Sequence, residues 1–281
     1  MNPIGIMQGR LLPPSSGRIQ SFPIPTWQRE FFLMREAGLD CIEWVYQKET
    51  ETFNPLRTDE GISEIQNYVK DSGVPVWSIC ADYYMKERLV SRGGSPQKNS
   101  LKHLQGLIHR VKTLGIRYIV LPFVDESSLK SPLELEGLRR ILEKALQAAE
   151  KDSVGLHLET DLEARELVKI LEEFSHPLLK VNYDIGDCAS LGHNPVEELA
   201  ALGRWLGSVH VKDRLLGGGS VPLGTGRADF VTCFRLIHEA GFQGFFILQA
   251  AREEGISEVE LAIRNRRFVE EQLALVTGGA R

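Results

Sequence analysis

The patterning of the chain calls for an α/β fold closed into a single (β/α)8 TIM barrel, and three features carry that expectation. Eight short apolar runs recur about 34 residues apart on average, the length that one strand, one helix and two short connections need. Helix-like stretches fill the gaps, and the phrase helix, glycine, strand repeats as AGLDCIEW, SGVPVWSI, LGIRYIVL and AGFQGFFIL. Strict alternation implies parallel strands, because antiparallel neighbours need no crossover helix. Eight such units close more naturally than they spread. The doubly wound alternative would carry G-x-G-x-x-G after its first strand, and Gly5-Ile-Met-Gln-Gly9 does not supply it.

The elements follow in order. The run Ile4–Met7 precedes a helix over Trp27–Ala37 that ends at Gly38, a residue suited to the left-handed position after a helix. Cys41–Val45 and Val76–Cys80 are the second and third strands. Residues 84–100 (YMKERLVSRGGSPQKNS) form the longest irregular stretch; following the third strand, they are a candidate lid over the C-terminal mouth. Leu101–Leu114 is helical, ends at Gly115 and leads into the fourth strand, Arg117–Leu121. Glu134–Lys151 carries Leu135, Leu138, Ile141, Leu142, Ala145 and Leu146 as a helical stripe before the fifth strand, Val154–Leu158. A helix over Asp161–Glu173 starts behind Thr160 as its N-cap. Leu179–Tyr183 and Gly207–Val211 are the sixth and seventh strands. A helix over Asp229–Ala240, the eighth strand Phe245–Gln249 and a helix over Ser257–Leu273 complete the chain.

One domain over residues 1–281 accommodates all of this, since α/β barrels run to about 250 residues as a unit. The net charge of −5 gives no basic footprint for nucleic acid. Cys41, Cys80, Cys188 and Cys233 are scattered without a C-x-x-C pair, which speaks against a zinc knuckle or a disulfide framework. No apolar run reaches the length of a membrane helix, and the N-terminal run is too short for a signal peptide. A cytoplasmic protein is expected.

In such a barrel the reactive side chains stand at the C-terminal ends of strands. The fifth strand offers His157, Glu159 and Asp161; the sixth offers Asp184 and Asp187. The seventh offers His210, Lys212 and Asp213, and the eighth offers Gln249. Glu159, Asp184 and His210 are two carboxylates and an imidazole from three successive strand ends. That set suits one divalent ion such as Mn²⁺, Mg²⁺, Co²⁺ or Zn²⁺, with the Gln249 carbonyl as a fourth, neutral ligand.

The chain resembles the xylose isomerase-like barrel superfamily, which contains sugar and sugar-phosphate isomerases and epimerases and endonuclease IV. The matching segments are IMQGRL, GLDCIEW, GLHLETD, VNYDIGDCASLGH, SVHVKD, PLGTGRADF and GFFILQ, in that order. In the epimerase branch, Glu, Asp, His and Glu from strands five to eight hold the ion. The resemblance places these roles on Glu159, Asp184, His210 and Gln249, and the last departs from the pattern. There the two glutamates work on opposite faces of the substrate carbon, whereas a glutamine can ligate but cannot take up a proton. A homo-oligomer is compatible with the resemblance.

The expected chemistry is isomerisation or epimerisation of a sugar or sugar phosphate. A proton is removed next to a carbonyl, and the divalent ion stabilises the ene-diolate. Glu159 is the expected base, with His157, Asp187 or Lys212 available to return the proton, and Lys212 suited to neutralising oxyanion charge. Arg10 is placed to meet substrate, or else to pair an acidic strand end. Glu43 and Trp44 end the second strand, where Trp44 would be an aromatic wall for a sugar or simply a packed side chain. Arg227 and Arg252 follow strands seven and eight, where barrels often hold phosphate. Two other readings use the same residues: a lyase or dehydratase of a polyol or keto-sugar, and a catalytically silent sugar-binding barrel. A DNA-repair endonuclease would need a D-x-H segment after the seventh strand, where this chain has GGGSVPLGTG.

Overall fold

The computed structural model describes residues 2–14 and 20–278; the ends of the 1–281 domain lie outside the described residues. Eight parallel strands close a barrel in chain order: Ile4–Met7, Ile42–Val45, Val76–Cys80, Tyr118–Phe123, Gly155–Thr160, Leu179–Asp184, Leu206–Val211 and Phe245–Leu248. The first strand pairs with the last, Gly5 opposite Ile247, and with the second, Met7 opposite Glu43, so the sheet has no free edge.

The helix over Trp27–Ala37 ends at Gly38 with φ of 66°, the left-handed conformation that glycine adopts without a Cβ penalty. Asp229 caps Phe230–Glu239 by accepting the Thr232 N–H, and the last helix runs Glu258–Gly278. The helix after the fifth strand differs from expectation. It spans Ala164–Phe174, because the Thr160 hydroxyl accepts the Leu162 N–H and holds a turn instead of starting the helix. Four helices among the described residues were not legible as separate elements: Asp59–Ser72, Tyr83–Lys86, Ile185–Leu191 and Pro195–Leu202. The last two share the connection after the sixth strand, one capped by Asp184 and the other by Asn194. Residues 84–100 are anchored: Leu89 and Val90 are buried, and Arg88 and Arg92 reach the buried Glu134 at 2.8 and 3.4 Å. No helix among the described residues is long and apolar enough to cross a membrane.

Strand side chains alternate between the barrel interior and the helices. Met7, Cys41, Val45, Cys80, Tyr118, Val120, Phe245 and Ile247 form an inner apolar cluster, separate from the core between sheet and helices. Trp77 stacks on Phe245 at 4.7 Å, with the Arg117 guanidinium 4.2 Å from the Trp77 ring, and together they close the N-terminal end. Above this plug the interior turns polar. Glu43, Ser78, His157, Asn182, Ser208 and His210 are all buried, whereas barrel interiors are usually filled by branched apolar residues. Buried polar groups need partners, and that requirement shapes the site.

Candidate metal centre

Glu159 near the end of the fifth strand, Asp184 at the end of the sixth and His210 on the seventh converge inside the mouth. One ligand atom from each lies within 4.8 Å of the others. His210 Nδ1 is 3.5 Å from Glu159 Oε2 and 3.8 Å from Asp184 Oδ2. Each is fixed from behind. His210 Nε2 lies 2.6 Å from Glu43 Oε1, and the Ser78 hydroxyl donates to Glu43 Oε2 at 2.7 Å. A carboxylate on Nε2 makes that nitrogen the donor and aims Nδ1 into the site. Asn182 Nδ2 donates to Glu159 Oε2 at 3.0 Å, and Asp184 Oδ1 accepts the Asp187 N–H at 2.9 Å as a helix cap.

Three buried atoms of this group have no hydrogen-bond partner among the described residues: Asp184 Oδ2, which is ion-paired with Lys212, His210 Nδ1 and Gln249 Oε1. Buried polar atoms left unpaired are costly, and His210 Nδ1 faces both carboxylates. Two carboxylates and an imidazole nitrogen form a donor set that fits a divalent ion, which would take the place of the proton on His210 Nδ1. Gln249 follows the eighth strand in line with Phe245 and Ile247, whose side chains are inside the barrel.

Burial raises the Glu159 carboxyl to about 8, helped by Asp184 and Asp187 and opposed by His210 and Lys212. Burial pulls the His210 imidazole down, but Glu43, Glu159 and Asp184 outweigh it and push the group up to about 9. Lys212 Nζ sits 2.8 Å from Asp184 Oδ2 and 2.9 Å from Asp187 Oδ1. Burial would raise the Asp187 carboxyl, yet Lys212 and Arg214, the latter at 2.7 Å, hold it below the ordinary carboxylate range.

Several expected site residues sit elsewhere. His157 is not at the mouth. It shares the inner face of its strand with Glu159 but lies one pair of residues deeper, about 6.6 Å along the strand. Its ring stacks on Tyr118 at 3.9 Å, its Nδ1 faces Ser208 Oγ at 2.9 Å, and burial lowers it to about 3. A neutral, enclosed imidazole returns no proton to a substrate. Ser208 passes its own hydrogen to Asn182 Oδ1 at 2.7 Å, so His157 belongs to the scaffold behind Glu159. Gly207 makes room for it: a Cβ there would fall 2.5 Å from His157 Cε1.

Glu43 is wholly buried and engaged with His210 and Ser78, so it does not contact substrate. Trp44, next to it, points outward and is also wholly buried. It packs on Trp27, Phe22 and Phe31 at ring separations of 5.4, 5.7 and 6.4 Å, and its Nε1 donates to Asn54 Oδ1. It is core, not a sugar-facing wall. Arg252 donates to the carbonyls of Gly9 and Leu12 and reaches Glu258, which commits its guanidinium to the loop after the first strand. Arg227 is exposed. Arg10 is buried at the mouth, where it donates to Ala250 O at 2.6 Å and Gln20 Oε1 at 3.3 Å.

Sequence reasoning missed Asn182, Ser78, Gln20 and Asp82. Asn182 carried a signal, since it shares a strand face with Asp184. Asp82, two residues past the third strand, is raised above its ordinary value chiefly by burial and accepts from Gln20, Gln47 and Cys80.

The comparisons with known proteins agree with this architecture. The L-ribulose-5-phosphate 3-epimerase UlaE of Shigella boydii serotype 18 (strain CDC 3083-94 / BS512) is 23% identical over 256 residues, covering 88% of this chain and 90% of UlaE. A solved L-ribulose 3-epimerase superposes with a TM-score of 0.75 at 18% identity, over 100% of this chain and 97% of the other. The IOLI protein, solved with a binding zinc atom, gives 0.76 at 17% identity over 98% and 99% of the two chains. The model of the xylose isomerase-like TIM barrel family matches residues 31–272, and this chain belongs to that family.

Proposed function

We propose that the protein is a divalent-metal-dependent isomerase or epimerase of a sugar or sugar phosphate. The observation that carries this reading is the convergence of Glu159, Asp184 and His210 inside the barrel mouth; Gln249, in line with the inward face of the eighth strand and with a buried, unpartnered Oε1, is the fourth ligand we assign. The sugar epimerases among the chain's relatives support the substrate class. Glu159, Asp184, His210 and Gln249 would hold the ion. A bound divalent ion supplies positive charge that stabilises the oxyanion formed when a proton leaves the carbon beside a carbonyl.

Glu159 is the base. Burial disfavours its charged form and so raises its basicity, while a bound ion would oppose that shift. Proton return is narrowly constrained. His157 is enclosed below the site and Asp187 is committed to Lys212 and Arg214. Gln249 orients but does not take up a proton. Return by Glu159 itself gives a 1,2-isomerisation on one face; return by Lys212 Nζ, which would give inversion, requires it to leave Asp184 and Asp187, the carboxylates that hold its proton. The same ammonium protonating a departing hydroxyl would give a dehydratase, a second reading that the amide at position 249 favours.

Incubation with a panel of ketoses and ketose phosphates in deuterated buffer, followed by NMR, tests this. Label at the carbon beside the carbonyl, with no loss of water, supports isomerase or epimerase chemistry. A dehydrated product would transfer the assignment to the lyase. Absence of label and product with every substrate would remove the catalytic reading.

A further inference from the structure

Gln249 is oriented by a network that reaches back to the first strand. Gln249 Nε2 donates to Gln20 Oε1 at 2.9 Å, and Arg10 Nη2 donates to the same oxygen at 3.3 Å. Gln20 Nε2 donates to Asp82 Oδ2 at 2.8 Å, which Gln47 Nε2 also reaches at 3.1 Å. Arginine carries only donors, so the Gln20 atom facing Arg10 must be its oxygen. The Gln20 amide nitrogen then faces Asp82, an acceptor. With both ends of Gln20 assigned, the group that Gln249 presents to Gln20 must be its own NH2. Its carbonyl oxygen is left pointing away, buried and unpartnered.

Reversing any one amide sets oxygen against oxygen or N–H against N–H somewhere in the chain of contacts. Turning Gln20 over would put its NH2 against the Arg10 guanidinium and its oxygen against the Asp82 carboxyl. Turning Gln249 over would put its oxygen against Gln20 Oε1, and a carboxylate at position 249 would do the same. The pocket is built for an amide there.

We propose that Gln20 is a positioning residue for the ion site. Held by Arg10, it captures the Gln249 NH2 and thereby presents Gln249 Oε1 to the ion as a fixed neutral ligand. The inference rests on the reading that Glu159, Asp184, His210 and Gln249 hold a divalent ion. Gln20 itself touches neither the ion nor the substrate. One consequence is that Gln249→Glu alone does not install a working second carboxylate, because Gln20 opposes it.

Mn²⁺ titration calorimetry on the chelator-treated full chain tests the proposal. Gln20→Met is near-isosteric and removes the acceptor, and it should weaken Mn²⁺ binding about tenfold, within the range seen when groups supporting a ligand are removed. In a Gln249→Glu background the sign reverses: Gln20→Met should strengthen binding, because the opposing oxygen is gone. Should Gln20→Met not fold, Gln20→Ala answers the same question. Equal Mn²⁺ affinity of wild type and Gln20→Met, or the same loss in both backgrounds, would overturn the proposal. Asp184→Asn separates the two levels. If it abolishes binding while Gln20→Met does not, only the role of Gln20 falls; if wild type binds no Mn²⁺, the ion site itself falls and this inference with it.

Discussion

His210 is the side chain on which the site turns. Glu43 grips one ring nitrogen from inside the barrel, and the other nitrogen faces Glu159 and Asp184. Glu43→Gln keeps an acceptor of the same size but removes the charge, and it should lower divalent-ion affinity about 10–100-fold. Calorimetry checks this, and unchanged affinity would mean that Glu43 only fills space. Glu159→Gln should reduce substrate proton exchange by several orders of magnitude. Exchange surviving within about tenfold, equivalent to ~1.4 kcal/mol in the barrier, would move the base elsewhere. The cluster of Glu159, Asp184 and His210 was legible because each stands at or near the end of an apolar run. Glu43 and Trp44 were misread because reading the last residues of a run ignores which face each occupies; alternation along Cys41, Glu43 and Val45 puts Glu43 inside and Trp44 outside. Gln20 left no trace at all. It lies in irregular chain, 229 positions from Gln249, and only the folded backbone brings them together.

Among the elements, residues 9–12 after the first strand are held from two sides. Glu30, from the helix over Trp27–Ala37, accepts the N–H of Gly9 at 2.7 Å and of Leu11 at 3.4 Å, while Arg252 takes the carbonyls of Gly9 and Leu12. Gly9 has φ of 85°, and a Cβ there would fall 2.4 Å from Ser21 O, so the turn needs glycine. This clamp aims Arg10 at Gln20. Burial, partly offset by the two N–H groups and Arg252, raises the Glu30 carboxyl from 4.5 to about 8. Between those values the folded state holds a proton that the unfolded state has released. The stabilisation is therefore complete below about 4.5 and is lost as pH rises toward about 8. Glu30→Gln should flatten that slope and leave the variant more stable than wild type above pH about 8, by a few kcal/mol at most. Urea denaturation at several pH values measures it; parallel profiles for the two proteins would assign the slope to other groups. Strands were legible to within two residues because apolar runs mark them. The helix Ile185–Leu191 was hidden because the same residues, Asp184 and Asp187, read equally well as strand-end chemistry.

At the scale of the molecule, the closed sheet gathers ligands from strands that are consecutive in the chain. The count and order of the barrel strands were written in the spacing of the apolar runs; the short pair Asp213–Arg214 and Ser220–Val221 and the polar interior were not, the latter because it depends on which inward residues meet across the barrel. An ion that binds only the folded barrel stabilises it by mass action, ~2.7 kcal/mol at a hundred times its dissociation constant. Chelation should accordingly lower the melting temperature by several degrees, and Asp184→Asn should erase that difference. The most direct test of the central claim is deuterium incorporation from solvent into a ketose or ketose phosphate, followed by NMR with and without added divalent ion. The account predicts label at the carbon beside the carbonyl, dependent on the ion and lost in Glu159→Gln. Label that persists undiminished after complete chelation, or in Glu159→Gln, would contradict it.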